Sequence, residues 1–325
     1  MTNHWKRFLI YRLPMAIFAL VVIVEIIATL LSDTPQLRHP LDRLILSMTS
    51  IENGGDVVLI GDSVTQDVAG QYALAPGNRI VNLTTNQASG MTGAYLLLRR
   101  HMEINHPPRH IVIAATPEFF GYSPTPQTAR IYLSSVFTTP EEQRYLRTIG
   151  LASPQKKIWK PAILEIEDRI FNRVTNLLFQ SFASNNISYL SPPSEAPLEA
   201  PGGNAASHAA MVSRLSSPLN ISKSARRAIE GICALSRLHN FKLHIITAPT
   251  PKSVHLEWES DSRVSKFRNL IGKIAGPTCQ NATITDINEI ARFPDHAFRD
   301  SDHLRRPGWA TLYARVLRDF IAELK

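Results

Sequence analysis

The chain contains short, continuous apolar runs that alternate with segments of helical periodicity, and this alternation restricts its fold more than any other feature. Continuous apolar runs are typical of strands buried on both faces, whereas half-exposed strands alternate apolar with polar residues. The predicted strands are 57–60, 79–83, 110–115, 241–247 and 283–287, and the predicted helices are 64–72, 92–103, 222–239, 263–275 and 307–324. The pattern predicts a three-layer α/β/α fold with a mainly parallel sheet covered on both faces.

The first apolar run leads directly into Gly61-Asp62-Ser63. Glycine allows a tight exit from a strand because it has no Cβ atom to clash. Ser63 then stands at a predicted helix start, where backbone N–H groups lack an internal partner and can bind a developing negative charge. A serine at this place is either a plain helix cap or a nucleophile, and the segment alone does not decide between them.

A second polar block, Asp300-Ser301-Asp302-His303, stands just before the last predicted helix. An aspartate three residues before a histidine can turn back and accept the Nδ1 proton, which leaves Nε2 free to take a proton from a serine hydroxyl. The alternative is that His303 is an ordinary surface-loop histidine. Asp302 adjoins His303 in sequence, so we expect its side chain to point elsewhere, as a solvated or capping residue.

These two blocks, in this order, resemble those of the SGNH (GDSL-type) hydrolases. The resemblance rests on Gly61-Asp62-Ser63 and on Asp300-x-x-His303, and it covers residues 54–122 and 222–325. It implies an SGNH-like domain in which Ser63 attacks an acyl carbonyl, His303 is the general base and Asp300 orients His303. Such a site needs no cofactor.

The resemblance also implies hydrogen-bond donors for the oxyanion of the tetrahedral intermediate. The Ser63 backbone N–H is one candidate, and Gly90, which matches the family's second-block glycine, is another, although an ordinary turn glycine fits equally well. The family's asparagine after the third strand is missing, because residues 116–118 are Thr-Pro-Glu. Either the Thr116 hydroxyl replaces that asparagine or the site uses backbone donors only. Asn86 is a candidate substrate contact.

Residues 13–31 are almost all apolar and are about long enough to cross a bilayer. Basic residues precede them, so we expect residues 1–12 to be a cytoplasmic tail and the run to be an uncleaved, single-pass inner-membrane anchor. A connector at 32–53 would then lead to the domain at 54–325 in the periplasm or extracytoplasmic space. Glu25 either faces a partner helix or lies near the outer interface, and the second interpretation is simpler.

An insertion at about 122–220 separates the two halves of the α/β pattern. Residues 160–182 have the pattern of an amphipathic helix, and residues 191–207 are rich in Pro, Ser, Ala and Gly, which is typical of a loop. An insertion after the third strand emerges at the ligand-binding edge of such a sheet. It is either a lid or partner surface, or a solvated excursion.

Cys233 and Cys279 are the only cysteines. An even number in an oxidising compartment indicates one disulfide, and the alternative is two buried thiols. The net charge of +8 is spread along the chain. A dispersed basic surface without a nucleic-acid motif predicts no nucleic-acid partner. The histidines show no metal-ligand spacing, so no metal site is expected.

The resemblance implies an acyl-ester transferase or esterase that acts on acetyl groups of an envelope or exported carbohydrate. Anchored members of the family are often partners of membrane acyltransferases, so such a partner is also expected. Two alternatives stay open. One is an esterase of lipids or small esters held at the membrane, and the other is a non-catalytic binding or assembly module, which the missing asparagine favours.

Overall fold

The computed structural model describes residues 5, 8–31, 41, 55–69, 80–152, 214–216, 219–276, 279 and 282–324. The chain forms two compact units, Met1–Arg38 with Gln155–Ser188 and His39–Pro154 with Tyr189–Lys325. The predicted helix at 160–182 and the predicted loop at 191–207 lie outside the described residues. The same holds for the connector at 32–53 except Leu41.

In the first unit, a π-helical turn, Phe8–Arg12, leads into helix α1, Leu13–Leu31. This helix has the bounds of the predicted anchor. Its side chains are described from Leu13 to Ile23, and these are exposed. Over the described residues, no helix combines the length and the apolarity needed to cross a membrane. The membrane anchor stays a prediction.

The second unit is built on a five-stranded sheet in which all neighbouring strands are parallel. The strand order is β2-β1-β3-β4-β5. The strands are β1 Val57–Gly61, β2 Ile80–Asn82, β3 His110–Ala115, β4 Lys242–Thr247 and β5 Thr283–Asp286. This parallel pairing confirms the prediction of an α/β fold with a parallel sheet. Parallel strands need crossover connections, usually helices, which cover both faces of the sheet.

Helices connect these strands. The longer ones are α2 Ser63–Ala69, α3 Gly90–Ile104, α6 Pro140–Thr148, α7 Lys223–His239, α8 Lys252–Ser260, α9 Arg263–Ala275 and α11 Gly308–Ala322. Short helices are α4 Pro117–Gly121, α5 Pro126–Ala129 and α10 Ile287–Ile290, with a π-helical turn Arg130–Ser134 and 3₁₀ turns Gln87–Ser89 and Asp295–Ala297.

Two apolar cores lie on opposite faces of the sheet, because successive strand side chains point to opposite faces. Val58 and Ile60 of β1 pack in one core with side chains of α3, α7 and α9. Val57 and Leu59 pack in the other core with side chains of α2 and α11. All four are at most 2% exposed. Helices therefore cover both faces, as the apolar runs predict.

The strand order has a topological switch at β1. From β1 the chain passes to β2 on one side, and it then returns to β3 on the other side. In open parallel sheets of this kind, ligands bind in the crevice beyond the carboxyl ends of the strands at the switch. Ser63 stands two residues after the end of β1 and Thr116 directly follows β3, so both lie at this crevice.

Cys233 and Cys279 are joined by a disulfide, with their Cα atoms 4.6 Å apart. Cys233 lies in α7, and Cys279 lies between α9 and β5. Both residues are buried in the core that contains Val58 and Ile60. The bond thus ties a helix of that core to the segment that leads into the edge strand.

Candidate active site

The turn that carries Ser63 is held tightly against β3. A Cβ atom on Gly61 would lie 2.2 Å from the carbonyl oxygen of Ala114 and 2.9 Å from the Cβ of Thr65, so only glycine fits. The Thr65 hydroxyl donates to the same carbonyl at 2.6 Å. Because the only proton of the Thr65 hydroxyl is used in that bond, its oxygen accepts from the Tyr313 hydroxyl at 3.0 Å. These contacts set where α2 begins.

Asp62, 2% exposed, joins the ends of β1 and β3. Its Oδ1 accepts from the backbone N–H groups of Val64 and Thr65 at 3.1 and 3.3 Å. Its Oδ2 accepts from the backbone N–H and the hydroxyl of Thr116, both at 2.7 Å. Burial raises the pKa of Asp62, and the hydrogen bonds from Thr116 oppose that rise. No role is predicted for Asp62 from the sequence, although an aspartate at a helix start is a common cap.

Ser63, His303 and Asp300 come together at the switch point. The Oγ of Ser63 lies 3.0 Å from the Nε2 of His303. The Nδ1 of His303 lies 3.0 Å from each carboxylate oxygen of Asp300. An ionised carboxylate only accepts hydrogen bonds, so Nδ1 carries the proton and Nε2 accepts from the serine hydroxyl. This is the arrangement of a nucleophile, a base and an orienting carboxylate.

The Asp300–His303 contact shifts the pKa of both groups. Burial by itself raises the pKa of Asp300, but hydrogen bonds from the side chain and backbone of His303 and from the backbone of Asp302 lower it well below its usual range. The hydrogen bond to Asp300 raises the pKa of His303 above 6.5, and burial opposes that rise. The imidazole is therefore a stronger base than a free histidine.

Asp67, one turn after Ser63 on α2, contacts arginines on both sides of the loop that carries His303. Its two carboxylate oxygens pair with Arg299 at 2.6 Å and with Arg306 at 2.8 Å. These three side chains are about one-quarter to one-third exposed. The helix that carries the serine is thereby linked to the loop that carries the histidine.

The Asp302 side chain points away from His303, as expected from the sequence, and is 37% exposed, but it is also paired. Its carboxylate pairs with Arg214 at 3.1 Å and accepts from the Ser301 hydroxyl at 3.0 Å. It is thus directed away from the Nδ1 atom of His303, which is bonded to Asp300. The geometry agrees with the choice of Asp300, and not Asp302, as the third member of the site.

Two of the candidate oxyanion donors already have acceptors in the fold. The Gly90 backbone N–H donates to the Gln87 carbonyl, and the positive φ of 56° at Gly90 is why a glycine stands there. The hydroxyl and the backbone N–H of Thr116 both donate to Asp62. The structure does not support an oxyanion role for Gly90 or Thr116. The Gly90 N–H bonds the backbone of the preceding turn, and both Thr116 donors bond the buried carboxylate of Asp62.

Ser63 and Asn86 retain donors at the crevice. The Ser63 backbone N–H has no acceptor among the described residues. The Thr85 N–H donates to the Gly61 carbonyl at 2.9 Å, so the residue just before Asn86 contacts the serine turn. The Oδ1 of Asn86 accepts from the Ala88 N–H at 3.1 Å, and within the described ranges its Nδ2 has no acceptor. Amide groups of this kind can stabilise an oxyanion.

A search of the described residues finds no group of three or more His, Cys, Asp or Glu side chains arranged to hold a metal ion.

Comparison with known proteins adds little. No protein-family model and no curated protein matches the sequence. Among solved structures, a similar one is that of "a putative platelet activating factor from Streptococcus pneumonia", with a TM-score of 0.42 and 8% sequence identity. The similarity covers 86% of this chain and 92% of that chain.

Proposed function

We propose that this protein is a serine-dependent acyl-ester transferase or esterase of the SGNH type. The observation that carries the proposal is the 3.0 Å contact between Ser63 Oγ and His303 Nε2, with Asp300 on Nδ1 of the same ring. This constellation lies at the switch point of a parallel sheet, where substrates of such folds bind. The Gly61-Asp62-Ser63 and Asp300-x-x-His303 blocks support the family assignment.

The reaction follows from the geometry. The Ser63 Oγ attacks the acyl carbonyl carbon while its proton passes to His303 Nε2. Asp300 stabilises the imidazolium that forms. When the tetrahedral intermediate collapses, the ester C–O bond breaks and His303 returns the proton to the leaving alkoxide. The acyl-serine is then attacked by water or by an acceptor hydroxyl, with His303 again taking the proton, and Ser63 is released.

Negative charge on the carbonyl oxygen has to meet donors that are already in place. The Ser63 backbone N–H and the Asn86 side-chain amide are the two donors that support this step, since Gly90 and Thr116 donate to acceptors within the protein. Asn86, which follows β2, thus takes the part that the missing asparagine after β3 plays elsewhere in the family. Removal of one such donor costs about 10²–10³ in rate.

The substrate and location follow from the family resemblance and the N-terminal sequence. We propose acetyl groups of an envelope or exported carbohydrate as the acyl groups transferred, and a membrane acyltransferase as the partner. Exposed apolar side chains cover α1 from Leu13 to Ile23, which supports an anchor in the inner membrane. The basic residues before it support a domain outside the cytoplasm.

A second candidate function is a non-catalytic binding or assembly module. The observation in its favour is that the hydroxyl and N–H of Thr116, the residue where the family has its asparagine, are both bound to Asp62. A site with few oxyanion donors would be slow or inactive, while the crevice beyond β1 and β3 would still bind a ligand.

Hydrolysis of 4-nitrophenyl acetate by the full chain in detergent separates the two functions. The enzyme account expects activity in the wild type, loss of nearly all of it in Ser63→Ala, and a loss of about 10²-fold in Asn86→Ala. Equal hydrolysis by the wild type and Ser63→Ala, or none by either, would favour the binding module.

A further inference from the structure

Arg214 is a buried arginine whose partners come from three separate segments. Its side chain is 4% exposed. The guanidinium contacts both carboxylate oxygens of Glu118, at 2.7 and 3.2 Å, and the carboxylate of Asp302 at 3.1 Å. It also donates to the Ser301 carbonyl. The ring centre of Trp258 lies 5.5 Å from the guanidinium carbon. We call Glu118, Arg214, Trp258, Ser301 and Asp302 the Arg214 cluster.

The cluster holds the middle of the loop that carries the base. Ser301 and Asp302 are the two residues between Asp300 and His303. Glu118 lies in α4, directly after β3. One guanidinium therefore connects the loop to the same sheet edge that Asp62 connects to the serine turn.

The contacts inside the loop do not fix its position relative to Ser63. Asp300 accepts from the Nδ1 and backbone N–H of His303 and from the backbone N–H of Asp302, all within four consecutive residues. These bonds orient the imidazole within the loop, and they move with the loop. The distance from His303 to Ser63 depends on what ties the loop to the rest of the domain, and Arg214 contacts the loop at its centre.

We propose that Arg214 is a positioning residue, which sets the distance between His303 and Ser63 by holding Ser301 and Asp302 against Glu118. The proposal rests on the function proposed above. An arginine suits this task because its planar fork can serve two carboxylates and a carbonyl at once and still stack on an aromatic ring. A lysine carries the same charge, but its single ammonium group cannot make all of these contacts at once. A buried charge is tolerated here because it is paired and hydrogen-bonded.

The proposal differs from a purely structural role in what it predicts for the pH profile. Loss of Arg214 leaves the Asp300–His303 contact intact, so the pKa of the base is kept while its distance to the serine increases. The plateau rate should therefore fall at an unchanged pH midpoint. Asp300→Asn should instead move the midpoint down toward 6.5, because it removes the largest cause of the raised pKa of His303.

The test compares the full-length wild type in detergent with Arg214→Lys, Asp302→Asn and the control Arg227→Met. Arg227 is a 59% exposed arginine on α7. The measured quantity is the rate at which a fluorophosphonate labels Ser63, as a function of pH and corrected for the folded fraction. We expect Arg214→Lys to lower the plateau at least tenfold, Asp302→Asn to lower it less, and neither to move the midpoint. Labelling of Arg214→Lys at the wild-type rate would overturn the proposal.

Hydrogen exchange gives a readout that does not need activity. Arg214→Lys should speed backbone exchange in residues 299–305 and leave exchange in β3 and β4 unchanged. If the wild type is never labelled, the proposed function fails and exchange alone decides the role of Arg214. Unchanged exchange in residues 299–305, or faster exchange throughout the domain, would refute a positioning role.

Discussion

The Nε2 atom of His303 lies 3.0 Å from the Oγ atom of Ser63, although 240 positions separate the two residues in the chain. Three contacts bring them together. Gly61 allows the serine turn to lie against β3, Asp67 links α2 to both flanks of the histidine loop, and Arg214 holds the middle of that loop. The arrangement of Ser63, His303 and Asp300 therefore depends on tertiary contacts made by residues outside it.

The activity of the wild type should rise with pH. The base must be neutral to accept the serine proton, and the hydrogen bond to Asp300 raises the pKa of His303 above 6.5. We expect kcat/KM for ester hydrolysis to increase through a single midpoint above pH 6.5. The same shift stabilises the folded state below pH 6.5, and that stabilisation is lost as the pH rises through the raised pKa. A midpoint at or below 6.5 would contradict the assignment.

Asp300→Asn should strongly lower the rate of ester hydrolysis and should also change its pH profile. An asparagine can hold the ring in the wrong tautomer, which in a comparable triad costs about 10⁴-fold in kcat. The midpoint should move down toward 6.5, since the carboxylate no longer stabilises the imidazolium. The measurement is a pH–rate profile of the variant beside the wild type. A variant with full activity and an unmoved midpoint would exclude Asp300 from the site.

Gly61→Ala should destabilise the domain. The added Cβ would lie 2.2 Å from the Ala114 carbonyl oxygen, which is backbone and cannot swing aside. Forcing an extra methyl into such a place costs about 1–3 kcal/mol or more. Gly308→Ala is the matched control, because nothing lies within 4 Å of its Cβ and it begins α11. Urea unfolding should show a lower midpoint for Gly61→Ala and no loss for Gly308→Ala. Equal midpoints would contradict the packing described for β1.

Breaking the disulfide should destabilise the fold. The bond joins residues 46 positions apart, and a loop of that length contributes about 4 kcal/mol in the chain-entropy model. The protein denatured without reductant should show no free thiol, and Cys233→Ala with Cys279→Ala should unfold at a lower urea concentration than the wild type. Two thiols that titrate in the unreduced protein would contradict the bond.

Much of the sheet follows from the sequence, because buried parallel strands are continuous apolar runs. The predicted strand 110–115 and the predicted helix 263–275 have the observed bounds of β3 and α9. The last strand ends at Asp286 and not at 287, because the Asp286 carboxylate accepts from the Asn288 N–H and so caps the start of α10. Helix α6 is not among the predicted helices, although Thr139 and Glu142 form a capping box at its start.

The polar contacts of the site are harder to predict, because they depend on which distant segments meet. The local Asp300-x-x-His303 spacing predicts its own hydrogen bond. The residues around Thr116 do not indicate that its hydroxyl donates to Asp62. From the sequence alone, Thr116 is therefore a candidate oxyanion donor. No role is predicted for Arg214 for the same reason, since Glu118 and Asp302 lie 96 and 88 positions away in the sequence.

The most direct test of the account is site-specific labelling of the full-length protein by a fluorophosphonate, with the modified residue located by mass spectrometry. We expect one adduct, on Ser63, in the wild type, none in Ser63→Ala, and nearly none in His303→Ala, because the serine and histidine act as one unit. Labelling at another residue, or undiminished labelling in His303→Ala, would contradict a Ser63–His303–Asp300 catalytic site. A wild type that is never labelled would contradict it as well.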